Sequence, residues 1–208
     1  TMNDGDGGVT SSQVPLSVTN APPQAVIRPD ADSSSSAISL RAVTNDLGLA
    51  DIASLTYEWT ITTLGSGTTP IILSGYTNPC FIFSRNGNFS DAYRISVKVT
   101  DDEGAMVNQT THAVLLDDNA NVYTPSAALQ PSGVDSVTLF GLGGGDILDL
   151  RAWSIPVILD GGIGDDTLFG GAANDTLILH QGNDRAAGGF GSDRYLMTFN
   201  STHTVDDD

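Results

Sequence analysis

A nine-residue repeat near the C-terminal end of the chain constrains its fold more than any other feature. Four units follow one another without a gap, and they begin at Gly161, Gly170, Leu179 and Gly188. Position six of every unit is an aspartate, and position eight is apolar or aromatic in all of them. A fixed period of this kind predicts a solenoid in which every unit has the same local structure.

Each unit divides into a turn and a strand. The first six residues are rich in glycine, which permits positive φ values and lets the chain turn sharply, and the last three form a short strand. Two units then make one eighteen-residue coil of a parallel β-roll, with the position-eight side chains stacked inside. A fifth unit at 141–149 keeps Gly144 and Asp146 in place, although eleven residues separate it from the others. Three short apolar runs upstream are interpreted as atypical coils that cap the open end of the roll: Val137–Phe140, Ile147–Leu150 and Val157–Asp160.

The aspartates at position six predict a metal site between stacked turns. A calcium ion takes about six to eight oxygen ligands, which is more than one such turn offers. Turns that stack lie two units apart, so we expect Asp166 to share a site with Asp184, and Asp175 with Asp193. The ion would also relieve the repulsion between carboxylates along each edge of the roll. The candidate ligating residues are Gly144, Asp146, Gly161, Gly162, Gly164, Asp166, Gly170, Gly171, Ala173, Asp175, Gly182, Asp184, Gly188, Gly189, Gly191 and Asp193.

Two alternatives to a calcium-binding roll are a glycine-rich linker and a solenoid without metal. A linker needs no fixed apolar position, so the constant position eight favours the roll. Two units depart from the pattern: the third opens with Leu179-His180 instead of two glycines, and Ala173 replaces a glycine in the second. Since histidine is a poor calcium ligand, we interpret His180 as a surface substitution and expect weaker binding at that turn.

Residues 141–196 resemble the glycine-rich RTX repeats of bacterial calcium-binding proteins, whose pattern is G-G-x-G-x-D-x-U-x. The resemblance implies Ca²⁺ as the bound ion. It also implies a secreted or cell-surface bacterial protein that is exported by a type I route. In such a protein the roll stays unfolded where calcium is scarce and folds outside the cell.

The acidic composition agrees with calcium and argues against two classes of partner. The chain has 25 acidic and 8 basic residues, a formal net charge of −17, and all acidic residues except Glu58 and Glu103 are aspartates. Short carboxylates held in turns suit a hard cation with oxygen ligands. A surface of this charge repels nucleic acid and anionic membranes. No apolar run approaches the ~18–20 residues of a membrane span, so neither nucleic-acid binding nor membrane insertion is expected.

The residues before the repeat predict an antiparallel β-sandwich. Short runs rich in Val, Ile, Thr and Tyr are separated by turn residues, and apolar side chains alternate with polar ones within the runs. Tyr57, Trp59 and Ile61, for example, share one face of their strand. One apolar face per strand requires two packed sheets, with Trp59 as a core aromatic. The candidate strands are Ala25–Ile27, Ala37–Ala42, Leu55–Thr62, Ile71–Leu73, Cys80–Phe83, Ala92–Val99 and Met106–Leu116.

Three segments of this region resemble the PKD-type, Ig-like modules of bacterial extracellular proteins. They are Asn20-Ala-Pro-Pro, Leu55-Thr-Tyr-Glu-Trp and the stretch from Tyr93 to Gly104. The Gly-Asp-Gly that follows the tryptophan strand in many such modules is replaced here by Thr63-Leu-Gly-Ser-Gly. Cadherin-like and fibronectin-like relatives therefore stay open.

The chain is thus expected to be all-β, with an Ig-like (PKD- or cadherin-like) antiparallel sandwich followed by a parallel β-roll. We assign residues 20–118 to the sandwich, 119–131 to a linker and 132–208 to the roll. Residues 1–19 are interpreted as the end of a preceding Ig-like module or as a linker. The turn at 101–104 is interpreted first as a hairpin and second as a calcium site. The sandwich is expected to fold without calcium, because it has an apolar core of its own.

No arrangement of catalytic residues stands out in the sequence. The single cysteine, Cys80, is flanked by apolar residues and is interpreted as buried. We therefore predict a non-catalytic segment in which calcium folds and stiffens an extracellular structure that serves adhesion to a carbohydrate or a cell-surface protein. The alternatives are an accessory tail of a secreted hydrolase and a carbohydrate-binding sandwich with Trp59 or Tyr76 exposed.

Overall fold

The structure, a computed structural model, describes residues 2–3, 9–10, 21–30, 37–45, 54–63, 71–76, 78–84, 92–198 and 201–206. Regular structure in these residues is strand, apart from short 3-10 turns such as Ala127–Leu129, so the predicted all-β class is confirmed. None of the helical segments in this part of the chain is long and apolar enough to cross a membrane. The strands are β1 (Met2–Asn3), β2 (Val9–Thr10), β3 (Gln24–Pro29), β4 (Ala37–Asn45), β5 (Thr56–Thr63), β6 (Ile71–Tyr76), β7 (Cys80–Ser84), β8 (Ala92–Thr100), β9 (Met106–Leu115), β10 (Val122–Tyr123), β11 (Ser136–Phe140), β12 (Ile147–Asp149), β13 (Val157–Asp160), β14 (Thr167–Phe169), β15 (Thr176–Leu179), β16 (Asn183–Ala187), β17 (Arg194–Met197) and β18 (Thr202–Val205).

Two antiparallel layers precede the repeat region. One is the three-stranded sheet β3-β4-β7, and the other is β6-β5-β8-β9, which is half of an eight-stranded sheet. Their apolar faces share one core around Trp59, which is 1% exposed and stacks on Phe81 with 5.6 Å between the ring centroids. The prediction that Trp59 is a core aromatic is confirmed. The hairpin at 101–104 is also confirmed, since β8 and β9 pair antiparallel and Gly104 has a φ of 88°.

For the first part of the chain, one prediction lies largely outside the described residues and another is wrong. Of residues 1–19, only β1 and β2 are described, and they pair antiparallel, so the predicted end of a preceding module lies largely outside the described residues. Cys80 was expected to be buried, but it is half-buried. Its thiol donates a hydrogen bond to Oδ2 of Asp30 at 3.3 Å. The cysteine side chain therefore has a polar partner at a position that is partly exposed.

The repeat region forms a β-roll with two parallel walls. The first wall contains β11, β13, β15 and β17, and the second wall contains β10, β12, β14, β16 and β18. Leu159 lies beside Leu177 in the first wall, and Leu168 lies beside Ala186 in the second. Units two apart in sequence therefore stack with an offset of eighteen residues, and the predicted coil length is confirmed.

Position-eight side chains fill the inside of the roll. Four of them are 0% exposed: Leu148, Leu168, Leu177 and Ala186. Trp153, from the insertion between the fifth unit and the others, packs into the same core and is 2% exposed. Its Nε1 donates a hydrogen bond to the carbonyl of Ser126 at 3.1 Å. The insertion therefore belongs to the roll core and does not loop away from it.

One strand, β9, belongs to both the antiparallel layers and the roll. It pairs antiparallel with β8 and, from Thr111 to Leu115, parallel with β11, so a single eight-stranded sheet continues into the roll. The buried hydroxyls of Thr111 and Thr138 hydrogen-bond across this junction at 3.0 Å. Phe140, at the end of β11, is 1% exposed and lies in the core of the antiparallel layers, where Leu142 packs beside it.

Residues 119–131, expected to be a linker, contribute a strand to the roll. Within them β10 pairs parallel with β12 and forms the edge of the second wall. The division of the chain into units at residues 20, 119 and 132 stays a prediction. The antiparallel layers before this segment and the roll after it are joined by the backbone hydrogen bonds between β9 and β11, as well as by the covalent chain.

We expect Phe140→Ala to destabilise the antiparallel core and the roll together. Removing a buried phenylalanine ring costs about 3–5 kcal/mol through lost burial and the cavity left behind. Denaturant unfolding of the calcium-loaded protein, followed in variants that retain only Trp59 or only Trp153, should show a lower midpoint for both. Phe190→Ala is the matched control, because Phe190 is 80% exposed and should change stability by no more than about 0.5 kcal/mol. A loss confined to the signal of only one of the two tryptophans would contradict coupling of the roll to the antiparallel layers.

Candidate metal centre

The repeat turns lie along two edges of the roll. Turns that lead from the first wall to the second form the first edge and span residues 141–146, 161–166 and 179–184. Turns that lead back form the second edge and span 170–175 and 188–193. Because the strands between them pair in parallel and in register, the turns on each edge stack directly upon one another.

Aspartates form a hydrogen-bonded column along the first edge. The backbone N–H of Asp146 donates to Oδ1 of Asp166 at 2.8 Å, and the N–H of Asp166 donates to Oδ1 of Asp184 at 2.9 Å. Above them, the N–H of Asn121 donates to Oδ1 of Asp146 at 2.8 Å. Each carboxylate therefore binds the turn before its own and fixes the stacking distance.

The second edge repeats this column with one turn fewer. The N–H of Asp175 donates to Oδ1 of Asp193 at 2.8 Å, and the N–H of Val157 donates to Oδ1 of Asp175 at 2.9 Å. Asp175 also accepts a hydrogen bond at Oδ2 from the N–H of Gly171 at 2.6 Å. The structure thus brings together the two pairs predicted from sequence, Asp166 with Asp184 and Asp175 with Asp193.

The second oxygen of most of these carboxylates has no hydrogen-bond donor. Oδ2 of Asp146, Asp166, Asp184 and Asp193 is buried without a hydrogen bond in the described structure. For Asp184 the nearest charged group is His203, whose Nδ1 lies 3.1 Å away. A buried carboxylate without compensation is unfavourable, so a cation bound at these oxygens would stabilise their ionised form.

Glycine at position one lets oxygen atoms of two stacked turns approach the backbone closely. A side-chain carbon on Gly141 would collide with the carbonyl oxygen of Gly161 and with Oδ2 of Asp146. The second edge repeats this arrangement at Gly170, which faces the carbonyl of the next turn and the carboxylate of its own. Oxygens of two stacked turns therefore converge on one space, which is the donor set that calcium prefers.

The turn at 170–175 differs in conformation from its neighbours. Gly164 and Gly182 occupy position four with φ values of 140° and 148°, which side chains with a Cβ rarely adopt. Ala173 occupies the same position without a positive φ. This turn stacks on the insertion, where the carbonyl of Trp153 accepts a hydrogen bond from the N–H of Ala172 at 3.0 Å. Alanine is tolerated because the stacking partner, and hence the turn, is different.

The interpretation of His180 as a surface substitution is wrong. Its side chain is only 29% exposed, and its Nε2 lies 3.0 Å from Oδ1 of Asp160. The hydrogen bond to Asp160 raises the pKa of His180 above its ordinary value, because it favours the charged imidazole. The preceding Leu179 is 1% exposed and extends β15 into the roll core. The third unit therefore replaces its glycines with a core residue and an ion pair.

The sequence analysis did not predict the role of residues 117–121. They stack on the turn of the fifth unit in the way that another repeat turn would. Asp117 accepts hydrogen bonds at Oδ1 from the N–H of Asn119 at 3.0 Å and from Nδ2 of Asn121 at 2.8 Å. A side-chain carbon on Gly144 would collide with the carbonyl group of Asn119, so the segment stacks closely on the turn below it. Its sequence has no glycine, and its only signal is the Asp and Asn content typical of turns.

Burial raises the pKa of three aspartates in the columns. The pKa rises to about 6 for Asp146 and Asp175 and to about 7 for Asp166. Desolvation is the main cause, and for Asp166 the carboxylates of Asp146, Asp184 and Asp160 add to it. In the absence of a cation these three carboxyl groups therefore ionise less readily than an ordinary aspartate.

Comparison with known proteins agrees with this chemistry. Residues 160–195 match the family model described as the RTX calcium-binding nonapeptide repeat, in four copies. This repeat family binds Ca²⁺ and forms a β-roll, so the predicted ion is confirmed for this part of the chain. The assignment of individual calcium ligands stays a prediction. A comparison with curated proteins finds no significant match.

One solved structure similar to the chain is pectate lyase PelI from Erwinia chrysanthemi in complex with tetragalacturonic acid. The sequences are 13% identical, the alignment covers 88% of this chain and 64% of the lyase chain, and the TM-score is 0.29. The chain therefore spans less than two thirds of that structure, and a TM-score this low carries no conclusion about fold or activity.

Calcium affinity should decrease as the pH falls from about 8 to about 5, because protons compete with the ion for carboxylates whose pKa values are raised to about 6 or 7. Without calcium the sign is opposite. A carboxyl pKa that is higher in the folded than in the unfolded state stabilises the fold at low pH, and this contribution is lost as the pH rises through the folded pKa. Calorimetric calcium titrations check the first effect, and the β content of chelator-treated protein across this pH range, measured by circular dichroism, checks the second. An affinity independent of pH would contradict the assignment of these carboxylates as ligands.

The two aspartates of each predicted pair should act on one shared site. We expect Asp175→Ala and Asp193→Ala each to remove about one bound calcium, and the double variant to lose no more than either alone. Asp175→Ala combined with Asp184→Ala affects both edges and should lose about two. Calcium stoichiometry from calorimetry, measured on variants that keep the β content of the unmodified protein, distinguishes the two pairs. A loss that simply adds for every combination would contradict shared sites.

Proposed function

We propose that this chain is a non-catalytic, structural segment of a secreted or cell-surface bacterial protein, in which the roll folds when it binds calcium. The observation that carries the proposal is the set of buried Oδ2 atoms, in Asp146, Asp166 and Asp193, that have no hydrogen bond and face glycine-lined space between turns. In this proposal the position-six carboxylates and the carbonyls of the glycine turns ligate the ions, at the residues predicted from the repeat.

Calcium supplies what the roll lacks for folding. The core of the roll contains few large side chains, among them Trp153, and also the small Ala186, while the glycine-rich turns lose much backbone entropy when they become ordered. The aspartate columns add like-charge repulsion in a chain with a net charge of −17. A divalent cation between turns reverses that repulsion and links two coils at once, so ion binding and coil stacking are coupled.

The calcium concentration outside the cell supports the proposed extracellular location. Extracellular calcium-binding modules have dissociation constants of about 10⁻⁴–10⁻³ M, and such sites would be empty in the cytosol. A roll of this kind stays unfolded during export and folds on reaching the outside of the cell. Secretion by a type I route, as the RTX resemblance implies, is consistent with this order of events.

The antiparallel layers suit a spacer or an adhesive module. We infer an Ig-like module of PKD or cadherin type, supported by the two layers around Trp59 and by the alternation of their strands. A carbohydrate platform built on Trp59 is not favoured, because this ring is 1% exposed. The side chain of Tyr76, the other aromatic considered for that role, lies outside the described residues. Adhesion to a carbohydrate or a cell-surface protein is therefore assigned to the segment as a whole.

Calcium should convert the roll from an unfolded to a folded state in the full chain. In a Trp59→Phe variant the remaining Trp153 reports on the roll, because it is buried in the roll core. Adding about 1 mM calcium to chelator-treated protein should shift its emission to shorter wavelength and increase β content in circular dichroism. Magnesium should fail, since it demands octahedral geometry and keeps its waters.

Paired variants connect this transition to the aspartate columns. Asp166→Ala should raise the calcium concentration at the midpoint, whereas Asp102→Ala, at an exposed turn position, should leave it unchanged. Equal Trp153 emission and β content in chelator, calcium and magnesium would overturn the proposal.

A further inference from the structure

One side of β9 has no partner strand along its first half. β8 pairs with the whole of β9 on one side, whereas β11 pairs on the other side only from Thr111 to Leu115. Among the described residues, no strand pairs with residues 106–110 on that second side. The first half of β9 is therefore an open sheet edge, and it is continuous with the junction between β9 and β11.

The open edge presents backbone hydrogen-bonding groups in a regular order. Asp135 closes the ladder at Thr110: its N–H donates to the carbonyl of Thr110 at 2.8 Å, and its Oδ2 accepts from the N–H of Thr110 at 2.7 Å. Backbone groups of alternate residues point the same way from a strand, so those of Asn108 and Met106 point out from this edge as well. An edge of this kind is a template for a further strand.

An uncharged groove lies beside the open edge. It has a volume of about 610 Å³, which is within the range of about 300–1,000 Å³ that is typical of binding pockets. Val26 and Met106 line it and are 42% and 52% exposed. None of the described residues that line it is charged, although the chain has a net charge of −17. The groove therefore suits apolar side chains of a partner.

The groove lies between β9 and a second open edge. β3 is the outer strand of the sheet β3-β4-β7, so its side away from β4 has no partner strand in the described structure. In β9 the side chains of Val107 and Gln109 line the groove, while the alternate Asn108 is exposed. A strand added to β9 would likewise direct every second side chain into the groove, and its backbone would extend the open ladder. Edge and groove together fit an extended polypeptide.

Acidic residues at both ends of the open edge specify the charge of the partner. Asp102 is exposed in the hairpin before β9, and Asp135 lies at the other end of the open edge. A segment with apolar residues in the middle and basic residues at its ends is complementary to this arrangement. A second copy of this chain has the same net charge of −17 and is repelled.

We propose that the open edge of β9 at residues 106–110, with the groove beside β3, binds an extended segment of a partner protein by strand addition. The segment has alternating apolar side chains and basic residues at its ends. The site deepens the adhesive role in the proposed function and rests on it, because it locates the partner and specifies the partner's chemistry.

Fluorescence anisotropy with a labelled synthetic peptide tests the proposal on the calcium-saturated full chain. The probe is a peptide of about nine residues in which valine alternates with threonine between two terminal lysines. We expect the probe to bind. Of two versions, N-methylated at the valines or at the threonines, one should bind at least about tenfold more weakly, because strand pairing uses the N–H groups of alternate residues. Equal binding by all three peptides, or by none, would overturn the proposal.

Paired variants locate the site. Val26→Asp places a carboxylate in the groove and should weaken binding of the probe at least about tenfold. Ile82→Asp is the matched control, because it adds the same charge at a residue of β7 that is 60% exposed and does not line the groove. Asn108→Pro removes one N–H from the open edge, where proline is tolerated, and should weaken binding to a similar extent.

Trp59 emission of each variant, measured first, separates loss of the site from loss of the fold. Equal affinities of Val26→Asp and Ile82→Asp, with the fold retained, would contradict binding at the groove. A dimer of the unmodified chain in sedimentation that Asn108→Pro abolishes would assign the edge to a second copy and also overturn the proposal.

The calcium-induced increase in β content, recorded on the same samples, tests the proposed function separately. Its absence would refute calcium-dependent folding of the roll. Absence of probe binding to a chain that does fold with calcium would refute strand addition alone, so the two failures are distinguishable.

Discussion

Burial of aspartate carboxylates along both edges of the roll is the constraint on which the rest of the structure depends. Oδ1 of each carboxylate binds the turn before its own, as Asp166 binds the N–H of Asp146, and this contact sets the spacing of the coils. The same contact removes the carboxylate from water and, in every column aspartate except Asp175, leaves Oδ2 without a hydrogen-bond donor. Stacking of the coils therefore buries negative charge, and a cation between turns stabilises the stacked coils by compensating that charge.

The repeat allowed the roll to be predicted in detail because its stacking is periodic. The pairing of Asp166 with Asp184, the inward position-eight leucines and the oxygen-rich turns all follow from a fixed nine-residue period. The core position of Trp59 followed from strand alternation. Individual calcium ligands were predicted on the same basis and stay predictions.

Structural features that do not follow the nine-residue period were not predicted from the sequence. Pairing of β9 with β11 joins strands that share no motif, and alternation alone does not say in which core Phe140 lies. The segment at 117–121 stacks like a repeat turn with Asp and Asn in place of glycine, and the partner of His180 is Asp160, twenty residues earlier. Such contacts depend on three-dimensional proximity, which composition and spacing do not encode.

The parallel pairing of β9 with β11 also bears on how the roll begins to form. The first coil of a solenoid is the slowest to assemble, because no neighbouring strand exists for it to dock against. Here β9, held by β8 in an antiparallel sheet, presents a ready edge to β11. We expect this edge to favour nucleation at β11, with further coils adding in one direction away from it. Misregistered starts elsewhere along the repeat are thereby at a kinetic disadvantage.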